Sequence, residues 1–214
     1  MFDVDIEPEF LLQEGSRIYP RQRTRVLVKS KKQSEFALPE MEYSLVPSWS
    51  KEPVVKWASY NARLDRVNPK TNNEEKIFDA PTWKEPFSKY HCVVPMTKFF
   101  ESCRDRGIAK GHEVSFFEKG EDSIMLGAGI YSIWKGQIEG EVKTHYSFAI
   151  ITTEPNYFIE SVGHDRMPVF LKPEDSKIWL NNNFEKPETA YRFLSESKYE
   201  PDLDFEKIRE LKGV

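Results

Sequence analysis

The sequence lacks the features that mark membrane, secreted and disulfide-stabilised proteins. Among its 214 residues, no apolar run approaches the ~20 residues needed to span a bilayer. Its first residues are acidic rather than basic, so no secretory signal peptide is expected. Two cysteines, Cys92 and Cys103, are too few for a disulfide framework. We therefore predict a cytoplasmic protein with reduced thiols and no membrane partner.

Several catalytic and ligand-binding motifs are missing as well. There is no glycine-rich phosphate loop and no dinucleotide-binding fingerprint. The cysteines do not form a CxxC motif, and the four histidines lack metal-ligand spacing: His91, His112, His145 and His164. No Gly-x-Ser-x-Gly elbow occurs, although a Ser-His-Asp triad and a Cys103–His164 pair stay open as alternatives. We predict neither a metal nor a cofactor.

Charge is close to balance but unevenly distributed. The formal net charge of −4 argues against a strongly basic nucleic-acid binder. Between residues 15 and 34, however, every charged residue is basic: Arg17, Arg21, Arg23, Arg25, Lys29, Lys31 and Lys32. This basic stretch forms either a local positive face or a solvated strand edge whose lysines prevent aggregation.

Composition and periodicity indicate one globular domain, since hydrophobic residues make up 39% of the chain and aromatic residues 14%. Strands are predicted over 23–29, 41–47, 90–95 and 144–152, with 113–118 and 123–134 as an antiparallel pair. Helices are predicted over 7–14, within 74–87, and over 154–160, 173–180 and 187–194. We therefore predict a mainly antiparallel, β-rich α+β fold with short peripheral helices. The domain would cover 1–198, and 199–214 would be a loosely attached charged tail.

The stretch Ser161–Val169, which reads Ser-Val-Gly-His-Asp-Arg-Met-Pro-Val, carries the residues best suited to chemistry. It lies between two apolar segments, which indicates a tight loop. His164 titrates near neutral pH and can transfer protons. Arg166 offers a planar donor fork suited to phosphates and carboxylates. The alternative is a surface turn with a solvated histidine.

Two other segments hold candidate polar residues. Glu101 directly follows two phenylalanines, so it either faces solvent by strand alternation or lies in an apolar pocket with a raised pKa. Asn61 and Arg63 share one side of their segment if it is extended. Asn61 can donate and accept hydrogen bonds, and Arg63 can hold a phosphate. An ordinary polar loop is the alternative for this segment.

Taken together, these segments resemble the SOS response-associated peptidase (SRAP) family over about residues 17–195. The matching motifs occur in the family's order: Val46-Pro-Ser-Trp49, Tyr60-Asn-Ala-Arg63, Cys92-Val-Val-Pro95, Phe99-Phe-Glu101, Phe148–Thr153, His164-Asp-Arg-Met-Pro168 and Trp179-Leu180. The resemblance implies a β-rich fold with a positively charged cleft for single-stranded DNA, acting on abasic sites in the DNA damage response. In that family, an N-terminal cysteine converts the ring-opened sugar aldehyde into an imine and then a thiazolidine crosslink.

By position, the resemblance assigns catalytic roles to three residues. Glu101 would be the carboxyl acid–base group that assists ring opening and imine formation. His164 would transfer protons in ring opening or in crosslink reversal. Asn61 would hold either the N-terminus or the sugar.

The resemblance also implies DNA contacts. Arg63 and Arg166 would bind the phosphates that flank the abasic site, and Trp49 would stack on unpaired bases. From the basic stretch, Arg21 and Arg23 are counted among the predicted DNA-binding residues. The expected partners are single-stranded DNA and abasic-site DNA, bound by a monomer.

Position 2 departs from the family pattern. Phe2 stands where the family has cysteine, and neither Cys92 nor Cys103 is an obvious substitute. Because methionine is not expected to be removed before phenylalanine, the chain would keep an α-amine without a neighbouring thiol. An amine with a pKa near ~7.7 can still attack an aldehyde, but the imine would hydrolyse or permit strand cleavage. We therefore predict weakened or altered crosslinking; Lys98 and Ser102 are smaller departures.

Two other functions stay open. The first is a non-covalent DNA- or ligand-binding module without catalysis. The second is a true peptidase, although proteolysis would be limited to self-processing at position 2, which Phe2 disfavours. Whether the chain is an enzyme is therefore undecided by its sequence. Salt dependence separates DNA binding from an apolar groove, because phosphate contacts weaken steeply as salt rises.

Overall fold

The computed structural model describes residues 16–30, 36–68, 71–104, 111–120 and 123–211. Phe2 and the helix predicted over 7–14 lie outside these residues. The strands are β1 Arg23–Arg25, β2 Leu27–Lys29, β3 Phe36–Ala37, β4 Glu40–Tyr43, β5 Asn61–Arg63, β6 Asp65–Val67, β7 Glu74–Lys76, β8 His91–Met96, β9 Lys98–Arg104, β10 Gly111–Glu118, β11 Met125–Ile138, β12 Glu141–Thr153, β13 Met167–Pro168, β14 Phe170–Leu171, β15 Lys198–Tyr199 and β16 Leu203–Leu211. The helices are a 3₁₀ turn at Ile77–Asp79, α1 Lys84–Lys89, α2 Tyr157–Val162, α3 Pro173–Asn181 and α4 Pro187–Glu196. No helix within the described ranges is long and apolar enough to cross a bilayer.

The principal sheet is built around the hairpin of β11 and β12. The two strands pair down to Ile138 opposite Glu141, and the turn residues Glu139 and Gly140 have φ angles of 52° and 82°. Positive φ at both turn positions is typical of a type I′ turn, whose twist matches that of the flanking strands. The sheet order is β1-β4-β12-β11-β8-β2-β3. The predicted β-rich, mainly antiparallel α+β fold is therefore confirmed.

Two short strands run parallel to β12 and position residues of the candidate site. β4 places Tyr43 opposite Phe148, and β5 places Asn61 opposite Ile150. Tyr43 and Asn61 are 18 positions apart along the chain, but each pairs with the same strand. The long strand β12 therefore determines which residues of the first third of the chain meet.

A second sheet, formed by β9, β10 and β16, corrects two predictions. β10 pairs antiparallel with β9 and β16, and not with the strand that follows it in the chain. The predicted loose tail is wrong for Leu203–Leu211, which pairs with Gly111–Glu118. Backbone hydrogen bonds hold this edge strand, so its side chains can be charged and exposed. A charged, exposed segment therefore gives no hydrophobic pattern from which a strand could be predicted. Glu113 adds ion pairs with Arg17 at 2.6 Å and Arg209 at 2.9 Å.

Apolar side chains pack against both faces of the principal sheet. Along β12, Ala149 and Ile151 enter one cluster, whereas Phe148 and Ile150 contribute to the other. This alternation follows from the two-residue period of a strand. The cluster that contains Phe148 also contains buried residues of β9 and β10, so it joins the two sheets.

The buried His91 predicts a pH dependence of stability. Its ring stacks on Trp179 at 3.5 Å, with Nδ1 3.0 Å from the Trp179 carbonyl oxygen and Nε2 2.6 Å from that of Phe87. Burial lowers the pKa of His91 to about 4, although the two carbonyls favour the protonated ring. The unfolded chain therefore binds this proton first, and stability that is complete above pH 6.5 falls as pH drops towards 4.

This dependence is measurable by urea unfolding between pH 7 and pH 4.5. We expect His91 to contribute a loss of at most about 1.4 kcal/mol per pH unit in that window. The variant His91→Gln should show a shallower decline than the parent, because every other titrating group remains in both proteins. Parallel pH profiles of the two proteins would contradict a neutral His91 in the folded state.

Candidate active site

Glu101 lies in an apolar setting on β9. Strand alternation gives its side chain the same face as the buried Phe99 and Cys103, and only 21% of the side chain is exposed. Burial, together with the smaller effect of the Asp165 negative charge, raises the pKa of the Glu101 carboxyl to about 7. Of the two alternatives for Glu101, the apolar pocket is therefore the one observed.

His164 reaches Glu101 from the loop after α2. Its Nε2 lies 3.2 Å from Glu101 Oε2, and its Nδ1 lies 3.4 Å from the Ser102 carbonyl oxygen. Because a carbonyl only accepts, Nδ1 carries the proton and Nε2 presents its lone pair to the carboxyl group. Burial lowers the pKa of His164, against the opposing effects of the Ser102 carbonyl and the Asp165 charge.

The two shifts make Glu101 and His164 a neutral acid–base pair. A carboxyl with a raised pKa holds a proton near neutral pH, and an imidazole with a lowered pKa can accept one. Since the groups are in contact, they titrate as a unit rather than independently. Such a pair can supply one proton and remove another during a single reaction.

Gly163 fixes the position of the histidine loop. It ends α2 with a φ of 104°, and its carbonyl accepts a hydrogen bond from the Arg104 N–H at 3.0 Å. A Cβ at position 163 would collide with the Arg104 carbonyl oxygen. At the other end of α2, the Asn156 side chain accepts a hydrogen bond from Ile159 N–H at 3.0 Å. The loop is thereby attached directly to the strand that carries Glu101.

Asn61 and Tyr43 lie at the parallel edge of β12. The Tyr43 hydroxyl donates to Asn61 Oδ1 at 3.1 Å. Burial raises the pKa of Tyr43, and the negative charge of Glu101 raises it further. Tyr43 thus adjoins both Asn61 and Glu101, although its sequence context contained no signal beyond its place in a strand.

Two guanidinium groups lie beside β12 near its end. The Arg166 Nη2 donates to the Thr152 carbonyl at 2.6 Å, and Thr152 pairs with Arg63 in the register of β5. Burial lowers the pKa of Arg166, and the positive charge of Arg63 lowers it further. Within the described part of the chain, the Arg166 Nε is a buried donor without an acceptor. Two adjacent cations with an unused N–H group are suited to an anion such as phosphate.

Trp49 belongs to an exposed aromatic pair that the sequence did not reveal. Its side chain is 56% exposed and that of Trp57 46%. The two indoles lie 6.3 Å apart with an interplanar angle of 18°, and Trp49 Nε1 donates to the Pro81 carbonyl. Trp57 precedes Asn61 by four positions, and this proximity is the signal by which it could have been found.

Two arginines of the basic stretch, Arg21 and Arg23, make hydrogen bonds within the protein. Arg23 donates to the Glu40 carboxylate at 3.1 Å and to its carbonyl at 2.9 Å. Arg21 adopts a positive φ of 73°, and its guanidinium donates to the Val55 carbonyl at 3.3 Å. Both stay predicted DNA contacts, but their guanidiniums would have to share these hydrogen bonds with a ligand.

Within the described residues, this site has no exposed thiol and no cluster of three or more metal ligands. Cys92 and Cys103 are both buried in the apolar cluster that joins the sheets, which disfavours the Cys103–His164 nucleophile pair. Among the residues placed by the structure, no group of three or more His, Cys, Asp or Glu side chains could hold a metal ion.

Comparisons with known proteins show to which family this chain is similar. The family model for SOS response associated peptidase (SRAP) matches residues 5–211. The abasic site processing protein YoaM of Bacillus subtilis is 28% identical over 200 residues, which cover 90% of this chain and 78% of that protein. The abasic site processing protein HMCES of Xenopus tropicalis is 27% identical over 166 residues, 69% of this chain and 46% of HMCES.

A solved structure has the same fold. The crystal structure of a Bacteroides thetaiotaomicron protein superposes with a TM-score of 0.66 at 26% identity, covering 88% of this chain and 75% of that one. The β-rich fold of this chain and the family-model match, which spans all of the described residues, identify the family. The chain belongs to the SOS response associated peptidase (SRAP) family.

Proposed function

We propose that this protein binds abasic sites in single-stranded DNA and catalyses proton transfers on the ring-opened sugar. The observation that carries the proposal is the Glu101–His164 pair at 3.2 Å, with Arg63 and Arg166 as the anion-binding part of the same site. The relatives YoaM and HMCES are abasic site processing proteins, which supports this substrate. The exposed faces of Trp49 and Trp57 suit unpaired bases, which favours single-stranded over duplex DNA.

The chemistry begins with opening of the sugar ring. The C1 hydroxyl loses a proton, the ring oxygen gains one, the C1–O bond breaks, and the C1 aldehyde forms. Glu101, which is protonated near neutral pH, supplies the proton to the ring oxygen. His164 Nε2 accepts the other proton once the carboxyl has given up its own. Both transfers require an acid and a base held beside one carbon atom, which the pair provides.

An amine then adds to the aldehyde carbon to give a carbinolamine. Protonation of its hydroxyl by the same pair expels water and leaves an imine. In the family pattern a thiol closes this imine into a stable ring, but Phe2 stands at the cysteine position of this sequence. The imine proposed here is therefore reversible, so the covalent activity is weaker than that of a thiazolidine-forming protein.

A denaturing gel of single-stranded DNA carrying one abasic site tests the proposal, with and without borohydride. We expect a crosslink only with borohydride, which reduces the imine to a stable amine. A crosslink without borohydride would contradict the reversible imine and indicate a thiol nucleophile. No crosslink in either lane would remove the catalytic part and leave a non-covalent DNA-binding module, the second candidate function.

Binding itself is expected to depend on Arg63 and on salt. Each phosphate contact on single-stranded DNA contributes about −0.7 to the slope of log K against log salt. Replacing Arg63 by Ala should lower the steepness of that slope by about this amount, measured by fluorescence anisotropy between 50 and 200 mM salt. The matched control is Arg192→Ala, which removes an exposed arginine of α4. Equal slopes for the two variants would contradict a phosphate contact at Arg63.

A further inference from the structure

We infer that Tyr43 is a positioning residue that turns the Asn61 carboxamide into a hydrogen-bond donor for a ligand oxygen atom. The ligand so recognised is a hydroxyl or carbonyl oxygen, which on the proposed function is that of the opened abasic sugar. The resemblance left two partners open for Asn61, an amine of the N-terminus or the sugar. The contact with Tyr43 favours the sugar.

The position of the Tyr43 ring is determined by its backbone pairing and by two aromatic neighbours. Its backbone is held beside β12 opposite Phe148, and its ring stacks on that phenylalanine at 5.1 Å with an interplanar angle of 22°. Tyr60 meets it edge-on at 5.9 Å. A ring so enclosed delivers its hydroxyl to one place, which is 3.1 Å from Asn61 Oδ1.

The hydroxyl acts as the donor in this contact. Burial and the nearby Glu101 charge raise the pKa of Tyr43, so its phenol keeps the proton throughout the neutral range. Asn61 Oδ1 is therefore the acceptor, which orients the amide and places Nδ2 on the opposite side.

The orientation determines what Asn61 can bind. Because Oδ1 accepts the hydrogen bond of the phenol, the groups of the amide that are left to bind a ligand are mainly the two N–H groups of Nδ2. Within the described ranges, Nδ2 makes no hydrogen bond to another residue. An N–H group attracts an oxygen lone pair and repels an ammonium group, so Asn61 is set for a sugar oxygen rather than for a protonated amine.

Two substitutions separate this role from a structural one. Tyr43→Phe keeps the ring stacked on Phe148 and removes only the hydroxyl. Asn61→Asp keeps the shape and the Oδ1 acceptor, replaces the N–H donors by a second oxygen and adds a negative charge. The readout is the ratio of affinities for single-stranded DNA with a borohydride-reduced abasic site, whose open sugar keeps its hydroxyls but cannot form an imine, and for the same strand intact. The thermal midpoint of each variant is a check on folding.

We expect each variant to reduce this ratio about 5- to 10-fold, as for loss of one hydrogen bond. The affinity for intact DNA should stay within about 2-fold for Tyr43→Phe, whereas the charge added in Asn61→Asp weakens binding to both strands and cancels in the ratio. The double variant Tyr43→Phe/Asn61→Ala should lose no more than Asn61→Ala alone, because the phenol acts through the amide. The matched control Tyr90→Phe, at the end of α1, should retain the parent ratio.

Two outcomes would overturn the inference. If Asn61→Asp keeps the ratio, the amide serves as an acceptor; if Tyr43→Phe keeps it while Asn61→Ala does not, the phenol does not position the amide. A parent protein that binds both strands equally would instead refute the proposed substrate, and with it the ligand assigned here. The two kinds of failure are thus distinguishable in the same titrations.

Discussion

Replacing Glu101 by Gln is expected to slow borohydride-trapped adduct formation on abasic DNA by about 10²- to 10⁴-fold, the usual contribution of a positioned acid–base group. The amide has nearly the same shape but cannot release a proton to the ring oxygen or to the carbinolamine hydroxyl. Affinity for intact single-stranded DNA should change little, since Arg63 and Arg166 remain. The measurement is the single-turnover rate at saturating protein, followed on denaturing gels.

The pH profile of that rate gives a second test. Because the pKa of Glu101 is raised to about 7, the parent rate should decline above that pH as the carboxyl group loses its proton. This limb should be absent in Glu101→Gln. The exposed Glu196, near the end of α4, offers the matched control Glu196→Gln, which should retain both the rate and the limb. If Glu101→Gln and His164→Ala both react at the parent rate, the assigned acid–base pair is wrong.

In Glu101→Gln at high pH, the stability of the fold should rise although the activity falls. A carboxyl whose folded pKa lies above its unfolded value of 4.5 contributes stability below that value, and this contribution is lost as pH rises through about 7. Above pH 7 the parent therefore carries a charge in an apolar pocket. Glu101→Gln removes this cost and should unfold at a higher urea concentration than the parent at pH 8. A lower midpoint at pH 8 would contradict the burial of a charged Glu101.

Replacing Gly163 by Ala is expected to destabilise the protein by about 3 kcal/mol and to abolish most of the adduct formation. A non-glycine residue at a φ of 104° is strained, typically by about 1–3 kcal/mol, and the added Cβ would also collide with the Arg104 carbonyl oxygen. Relief of the collision requires the histidine loop to move away from β9. Such a movement separates His164 from Glu101, so that the acid–base pair is lost together with the stability.

Gly140 provides the control for this substitution. It also has a positive φ, at 82°, but a Cβ there would meet nothing within 4 Å. Gly140→Ala should therefore show only the cost of the backbone conformation, about 1 kcal/mol, with adduct formation at the parent rate. Thermal and urea unfolding give the loss of unfolding free energy for each variant, and the difference between the two losses is the cost of the collision. Equal losses would show that the contact with Arg104 does not hold the loop.

The strongest features could be predicted because they are local in the chain. The hydrophobic runs around β8 and β12 determine strands, and Pro173 and Pro187 at helix starts determine α3 and α4. The motif around His164 places an imidazole and a guanidinium two positions apart, whatever the rest of the fold. These properties follow from side-chain chemistry and spacing, and they were sufficient for the fold class and the family resemblance.

The pairing of distant strands could not be predicted in the same way. The partners of β10 are β9 and the charged strand β16. The sequence does not indicate this pairing, because an edge strand is held by backbone groups that are the same in every residue. The role inferred for Tyr43 arises for a similar reason, since only the parallel pairing of β4 and β5 with β12 brings its hydroxyl to Asn61. Nothing in the spacing of the two residues indicates that contact.

The sequence by itself determined the side chains of the candidate site: a carboxyl, an imidazole, an amide, two guanidiniums and an indole. Only the tertiary structure decided their states. Glu101 could have faced water or an apolar pocket, and the packing of β9 against the buried cluster put it in the pocket, where desolvation raises its pKa to about 7. Protonation and orientation depend on the surrounding atoms rather than on residue type, and those atoms come together only when distant strands pair.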